Sequence, residues 1–246
     1  MKILKKIIPI VVIFLLVSSA WACSNSETTE TTQIDIKSVF EKAAEAELDN
    51  AAFTSEVTIE SEDTNAKMTM SGVFDFLNNE AVIKTEGEGI LSQNTTIYLV
   101  DDKVYIINPV TNQWQYTQST SNLINKGLFV ASDEAYDLMT VTKVGDNYVI
   151  KSNEPILLSK FQEVFNYEYN LNYGSVIDTE ILQNSMIEFE YVLNKDFYPV
   201  KMATTSTVEI SDTEYKTSMN MEFKGHNQQD PVTLPSEAKN AVEVTF

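Results

Sequence analysis

Arginine is absent from this chain of 246 residues, and cysteine and histidine occur once each. A lone cysteine excludes an internal disulfide and any cysteine-built metal cluster. A lone histidine, His226, supports neither a catalytic triad nor a histidine-rich metal site, and its place just after a strand end reads as a surface residue. The seven glycines are scattered, so no glycine-rich phosphate loop exists. Basic residues are few: 17 lysines face 36 acidic residues, for a formal charge of −19. Lys2, Lys5 and Lys6 fall in an export signal, and without them the balance is 14 lysines and a charge of −22. Such a surface does not bind nucleic acid, which needs cations to neutralise phosphates. Nor does it favour laying the folded body on anionic lipid. It suits the solubility of an exported protein.

No catalytic constellation replaces what is missing, so the chain reads as a non-enzyme without cofactor or metal. Glu188/Glu190 and Glu86/Glu88 are carboxylates two apart on strands. They read as solvated outer-face charges rather than an acid–base pair. Asp101-Asp102 reads as a turn, because no calcium-loop pattern of acids surrounds it.

What the sequence does contain begins with the signal. Residues 1–22 carry a basic start, the apolar run Ile7–Val17 and small residues before Cys23. The run is short for a transmembrane helix. Residues 23–34 are a polar, low-complexity segment with nothing to bury, expected to be a disordered tether. A single domain is expected over residues 35–246, long enough for a sizeable core.

Ile36, Val39, Phe40, Ala43, Ala44 and Leu48 recur at helical spacing behind Asp35, a suitable N-cap, predicting a helix that ends near Asn50. From Phe53 the period becomes two. Strands are predicted at Phe53–Glu60, Lys67–Phe76, Ala81–Glu86 and Thr95–Val100. A short helix is predicted within Ser119–Ala131 and a hairpin around Gly145-Asp146-Asn147. A second amphipathic helix should open at Pro155 and run to Tyr169, with Leu158, Phe161, Phe165 and Tyr169 on one stripe. Asn170–Ser185 reads as a loop. Met186–Leu193, Val200–Ile210 and Glu214–Lys224 are further strands, and the segment after Gly225, with Pro231 and Pro235, should run extended over the surface.

The centre of the chain, IYLVDDKVYIINPVTNQWQY (Ile97–Tyr116), fixes the register. A two-residue loop at Asp101-Asp102 sets Val100 against Lys103, Leu99 against Val104, Tyr98 against Tyr105 and Ile97 against Ile106. The aliphatic set then shares one wall and the tyrosine pair the other. Of the two, the aliphatic set is the one expected to line a cavity.

The signal with its single Cys23 resembles that of bacterial lipoproteins, although Ala20 and Trp21 stand where leucine and a small residue are usual. Ala20-Trp21-Ala22 also fits an ordinary cleavage site that would leave a free thiol. The resemblance implies diacylation of Cys23 and anchoring to the outer face of the cell membrane, and without acylation the protein is secreted. The opening helix, the Met-rich strand Lys67–Phe76, the Tyr…Tyr…Asn-Pro…Trp run and the closing PVTLPSEA segment resemble LolA/LppX-like lipoproteins of Gram-positive bacteria. That resemblance implies an α+β, mostly antiparallel unclosed half-barrel of about eleven strands with helices over the concave face. It also implies a lipid or other hydrophobic ligand between sheet and helices. Candidate lining residues are Met68, Met70, Phe74, Ile97, Leu99, Val104, Ile106, Phe161, Phe165, Phe189, Met202, Met219, Met221 and Phe223. The alternative is an envelope interaction or sensor module of the same fold, with a collapsed core, no ligand and a protein partner that the sequence does not identify.

Overall fold

A computed structural model of the chain describes residues 34–88, 94–118, 133–164, 185–210 and 213–244. The expected signal, the tether with Cys23, the short helix within 119–131, Phe165 and the loop over 170–184 lie outside the described residues.

The first described element is helix α1, Ile36–Glu45, whose N-terminus is capped by Asp35 accepting from Lys37 N at 3.2 Å. It buries Val39, Phe40 and Ala43. It stops short of Leu48, because Ala46 is already extended. Leu48 is buried all the same.

Strands β1 (Asn50–Glu60), β2 (Asn65–Asp75), β3 (Glu80–Glu88), β4 (Thr95–Val100), β5 (Lys103–Ile107) and β6 (Trp114–Gln118) follow as one meander. After helix α2 (Asp133–Tyr136) come β7 (Met139–Val144), β8 (Asn147–Ser152) and β9 (Ile156–Leu157), then helix α3 (Leu158–Val164). Strands β10 (Met186–Leu193), β11 (Pro199–Ile210), β12 (Thr213–Lys224) and β13 (Val242–Glu243) complete the sheet. The order across it is β13-β6-β5-β4-β3-β2-β1-β12-β11-β10-β8-β7, with β9 beside β10. All pairs are antiparallel except β13 with β6. The two ends of the order do not pair, so the barrel is unclosed.

Among the described residues the sheet has thirteen strands rather than about eleven. The additions include two-residue strands, too short to show a period. One of them also corrects the second helix. Pro155 does not open it. Ile156 and Leu157 pair with Ile187 and Met186 instead, and the helix starts at Leu158, whose N–H is held by Ser185 O at 2.8 Å.

The Asp101-Asp102 hairpin has the register expected of it, with both residues at positive φ, 53° and 56°. The tyrosine wall faces outward, and the C-terminal segment covers it. Val232, Leu234, Ala238 and Ala241 pack on Tyr98, Val100, Tyr105, Trp114 and Tyr116. Val244 N–H then bonds Tyr116 O at 2.9 Å. The tail is therefore a docked strap that also pairs with the exposed edge of β6.

Helices α1, α2 and α3 gather at the other end of the sheet, while a 3-10 turn over Ser236–Asn240 belongs to the strap. Val39, Phe40, Ala135, Leu158 and Phe161 form one core with Met139, Ile150, Ile187, Tyr191 and Leu193.

Candidate functional site: the inner face of the half-barrel

Strand alternation gives each strand one inward and one outward set, and the register aligns the inward sets in rows across the sheet. One row reads Ile187, Ser206, Thr217, Ile59, Ala66. The next reads Phe189, Thr204, Met219, Val57, Met68, Gly87. The third reads Tyr191, Met202, Met221, Ser55, Met70, Thr85. The fourth reads Phe223, Phe53, Gly72, Ile83, Ile97, Ile106. The last reads Ala51, Phe74, Ala81, Leu99, Val104.

These rows place the candidate lining residues on one face. Met68, Met70, Met219, Met221 and Phe223 are buried in a single cluster with Phe53, Val57 and Ile59, against which Phe74 and Met202 pack. The buried members of this cluster come from β1, β2, β11 and β12, and none comes from a described helix. Leu99 joins Ala81, with Phe74 and Val104 packed on them. Ile97 and Ile106 sit opposite each other on the same face. Phe161 and Phe189 meet edge to face, with ring centroids 5.7 Å apart, in the helix-covered core instead. Met202 touches both clusters. Phe165 and Cys23 lie outside the described residues.

Methionines dominate the middle of this cluster. Their unbranched thioether chains adapt to irregular apolar shapes. Phe53 and Phe74 stack beside them, centroids 4.3 Å apart and planes 13° from parallel. Gly72, opposite Phe53, leaves room for that ring. A Cβ there would lie 3.0 Å from the ring and inside the van der Waals envelope of the Val82 carbonyl oxygen.

Charge is kept off this face. The inward positions of β1, β2, β3, β11 and β12 hold apolar residues, glycines and hydroxyls, with no ionisable side chain other than the Tyr215 phenol. Beside them, burial pushes the Tyr191 phenol well above its ordinary value. The hydroxyls of Ser55, Thr204, Ser206 and Thr217 are buried here without a hydrogen-bond partner. The Thr85 hydroxyl reaches Thr95 O at 3.4 Å. None of these hydroxyls stood among the candidate residues. Their strand period was visible, but alternation alone does not say that a hydroxyl is unpartnered.

The outward charges correct one expectation. Glu190 is not solvated: it is buried and held by Lys151 at 2.8 Å and Lys201 at 2.9 Å. Burial alone would raise its carboxyl, but the hydrogen bonds and positive charges of the two lysines together more than offset that and hold it below the ordinary carboxylate value. His226 is also less exposed than expected. It is half-buried, with Nε2 2.6 Å from Pro199 O, so that nitrogen carries the proton. Among the described residues no cluster of three or more His, Cys, Asp or Glu is placed to hold a metal.

A family model matches residues 35–243, almost the whole of the expected domain. The chain belongs to DUF6612, a family of unknown function. No protein of curated function matches it in sequence. Among solved structures it is similar to an uncharacterized conserved protein from Thermus thermophilus, at 9% identity and a TM-score of 0.39, covering 85% of this chain and 97% of that one. It is similar also to the lipoprotein LppX of Mycobacterium tuberculosis, at 9% identity and 0.38, covering 81% and 100%. A LolA superfamily protein from Nitrosomonas europaea matches at 11% identity and 0.28, covering 78% and 94%. At such identities and scores these likenesses carry no argument, and the fold stands on the sheet itself: one unclosed, almost wholly antiparallel sheet with few described helices.

Proposed function

We propose that the inner face of the half-barrel binds a lipid or another hydrophobic molecule, and that the protein acts as a non-enzymatic binding protein. The observation that carries this reading is the composition of the strand-built cluster, a buried, methionine-rich apolar field whose buried members, among the described residues, come from β1, β2, β11 and β12. Binding sites for apolar molecules are built in this way, from concave apolar walls with a few polar groups. The absence of ionisable groups other than one phenol from the central inward positions fits an apolar guest, since a charge placed there would be desolvated without a partner.

The same reading includes a membrane anchor at Cys23. The sole cysteine directly follows the small-residue end of the signal, and two acyl chains hold a protein stably on a bilayer. The protein would then sit on the outer face of the cell membrane. Purification in mild detergent, solvent extraction and mass spectrometry test the ligand. A stoichiometric apolar molecule is expected. Its absence, together with a specific protein recovered by crosslinking on intact cells, would favour the interaction module instead.

A further inference from the structure

Three hydroxyls interrupt the apolar face at one place. Ser206 on β11 stands directly opposite Thr217 on β12, and Thr204 lies two residues along β11 on the same face. Directly opposed residues have Cβ atoms about 4.5–5.5 Å apart, so the three form a compact patch. Their relative exposures are 2% for Thr204, 1% for Ser206 and 0% for Thr217. Among the described residues no group hydrogen-bonds any of the three hydroxyls. Around them stand Ile187, Phe189, Ile59 and Met219.

A buried hydroxyl without a partner opposes folding, and valine would fill the space of threonine without that cost. Three such hydroxyls side by side point to an acceptor supplied from outside the chain. The neighbouring inward positions carry no cation to meet a carboxylate or phosphate, so the acceptor is uncharged. A pure hydrocarbon would leave all three hydroxyls bare. A neutral ester supplies carbonyl oxygens next to acyl chains that match the methionine field beside the patch.

We propose that Thr204, Ser206 and Thr217 form a polar subsite for the neutral ester group of an acyl lipid held on the inner face. The proposal rests on the reading of that face as an apolar-ligand site. It adds a ligand class, a neutral acyl ester, and names the residues that select it.

Binding of three probes to the full-length protein tests this: dioleoylglycerol, oleate and squalene. The wild type should bind dioleoylglycerol about tenfold or more tighter than either other probe, a difference of about 1.4 kcal/mol. A Thr204→Val, Ser206→Ala, Thr217→Val variant should lose that preference while keeping its affinity for squalene. Without ligand it should melt at a higher temperature than the wild type. Thr204→Ser, which keeps the hydroxyl, should retain the preference. Unchanged dioleoylglycerol affinity in the triple variant would overturn the subsite and leave the hydroxyls to water. If that variant does not melt cooperatively, Thr217→Val alone decides by the same ratio. Equal wild-type affinity for all three probes would overturn the subsite but spare the apolar site. Failure of every probe to bind would overturn both.

Discussion

Gly72→Ala is the most severe single-methyl test of this sheet. Gly72 lies in the interior of β2, between Phe53 and Ile83 on the neighbouring strands. A Cβ built there overlaps the Val82 carbonyl oxygen, approaches the Val82 carbonyl carbon to 2.9 Å and the Phe53 ring to 3.0 Å. The ring can tilt only by giving up its stack on Phe74, and the carbonyl can withdraw only by disturbing the β2–β3 ladder. Overpacking of this kind costs about 1–3 kcal/mol. One weakened ladder hydrogen bond adds about 1 kcal/mol. The stiffer unfolded chain returns about 0.4–1 kcal/mol. The net expectation is a loss of about 1–3.5 kcal/mol. At about 2–4 °C per kcal/mol for a chain of this size, Tm should fall by about 2–14 °C. Equilibrium urea unfolding is the assay, read as a lower midpoint at unchanged slope. Gly145→Ala is the comparator. Gly145 has a positive φ of 60° but nothing within 4 Å of its Cβ position, so backbone strain of about 1–2 kcal/mol applies without overlap, offset by the same return from the stiffer unfolded chain. A Gly72→Ala loss below about 0.5 kcal/mol would refute the close approach of β2, β3 and Phe53.

Two further predictions concern charge and anchoring. The folded-state pKa of Glu190 lies below its ordinary 4.5, so its ion pairs contribute stability above that pH, and the contribution is lost as pH falls through the folded value. Glu190→Gln should therefore be less stable than the wild type at pH 7, with the gap narrowing in acid. Urea midpoints at neutral and acidic pH measure this, and a gap that does not change with pH would refute the role of the lysine pair. Cys23→Ala should move the protein from the membrane fraction to the medium. Retention of Cys23→Ala in the membrane fraction, assayed by fractionation of intact cells, would refute the anchor.

How much of this was legible in the sequence depended on whether the deciding contact is local. Ile97–Ile107 was readable residue by residue, because a two-residue loop leaves one register. That register alone separates the aliphatic wall from the tyrosine wall. The methionine face was readable for the same reason, since Met68 and Met70 or Met219 and Met221 repeat at a period of two. Distant partners were not readable. The strap over Tyr98 and Trp114 comes from a proline-containing tail with no periodicity, and β9 and β13 exist only because a neighbouring strand offers an edge. Pro155 suits a first helical position, yet the pairing of Ile156 and Leu157 with β10 takes precedence. Glu190 pointed outward as alternation required, but its burial depends on Lys151 and Lys201, which only the assembled register brings to it.

The hydroxyl patch lies between these cases. Thr204, Ser206 and Thr217 follow the same alternation that identified Met202 and Met219, so their direction was legible. Their meeting was not, because it needs the β11–β12 pairing that sets Ser206 against Thr217. The hydroxyls add to what the methionine face supports. A face selected only for packing would have valine at positions 204 and 217, where the same volume carries no desolvation cost. On the proposed reading, Thr204, Ser206 and Thr217 keep their hydroxyls in two deeply buried neighbouring rows because a bound ester carbonyl accepts from them.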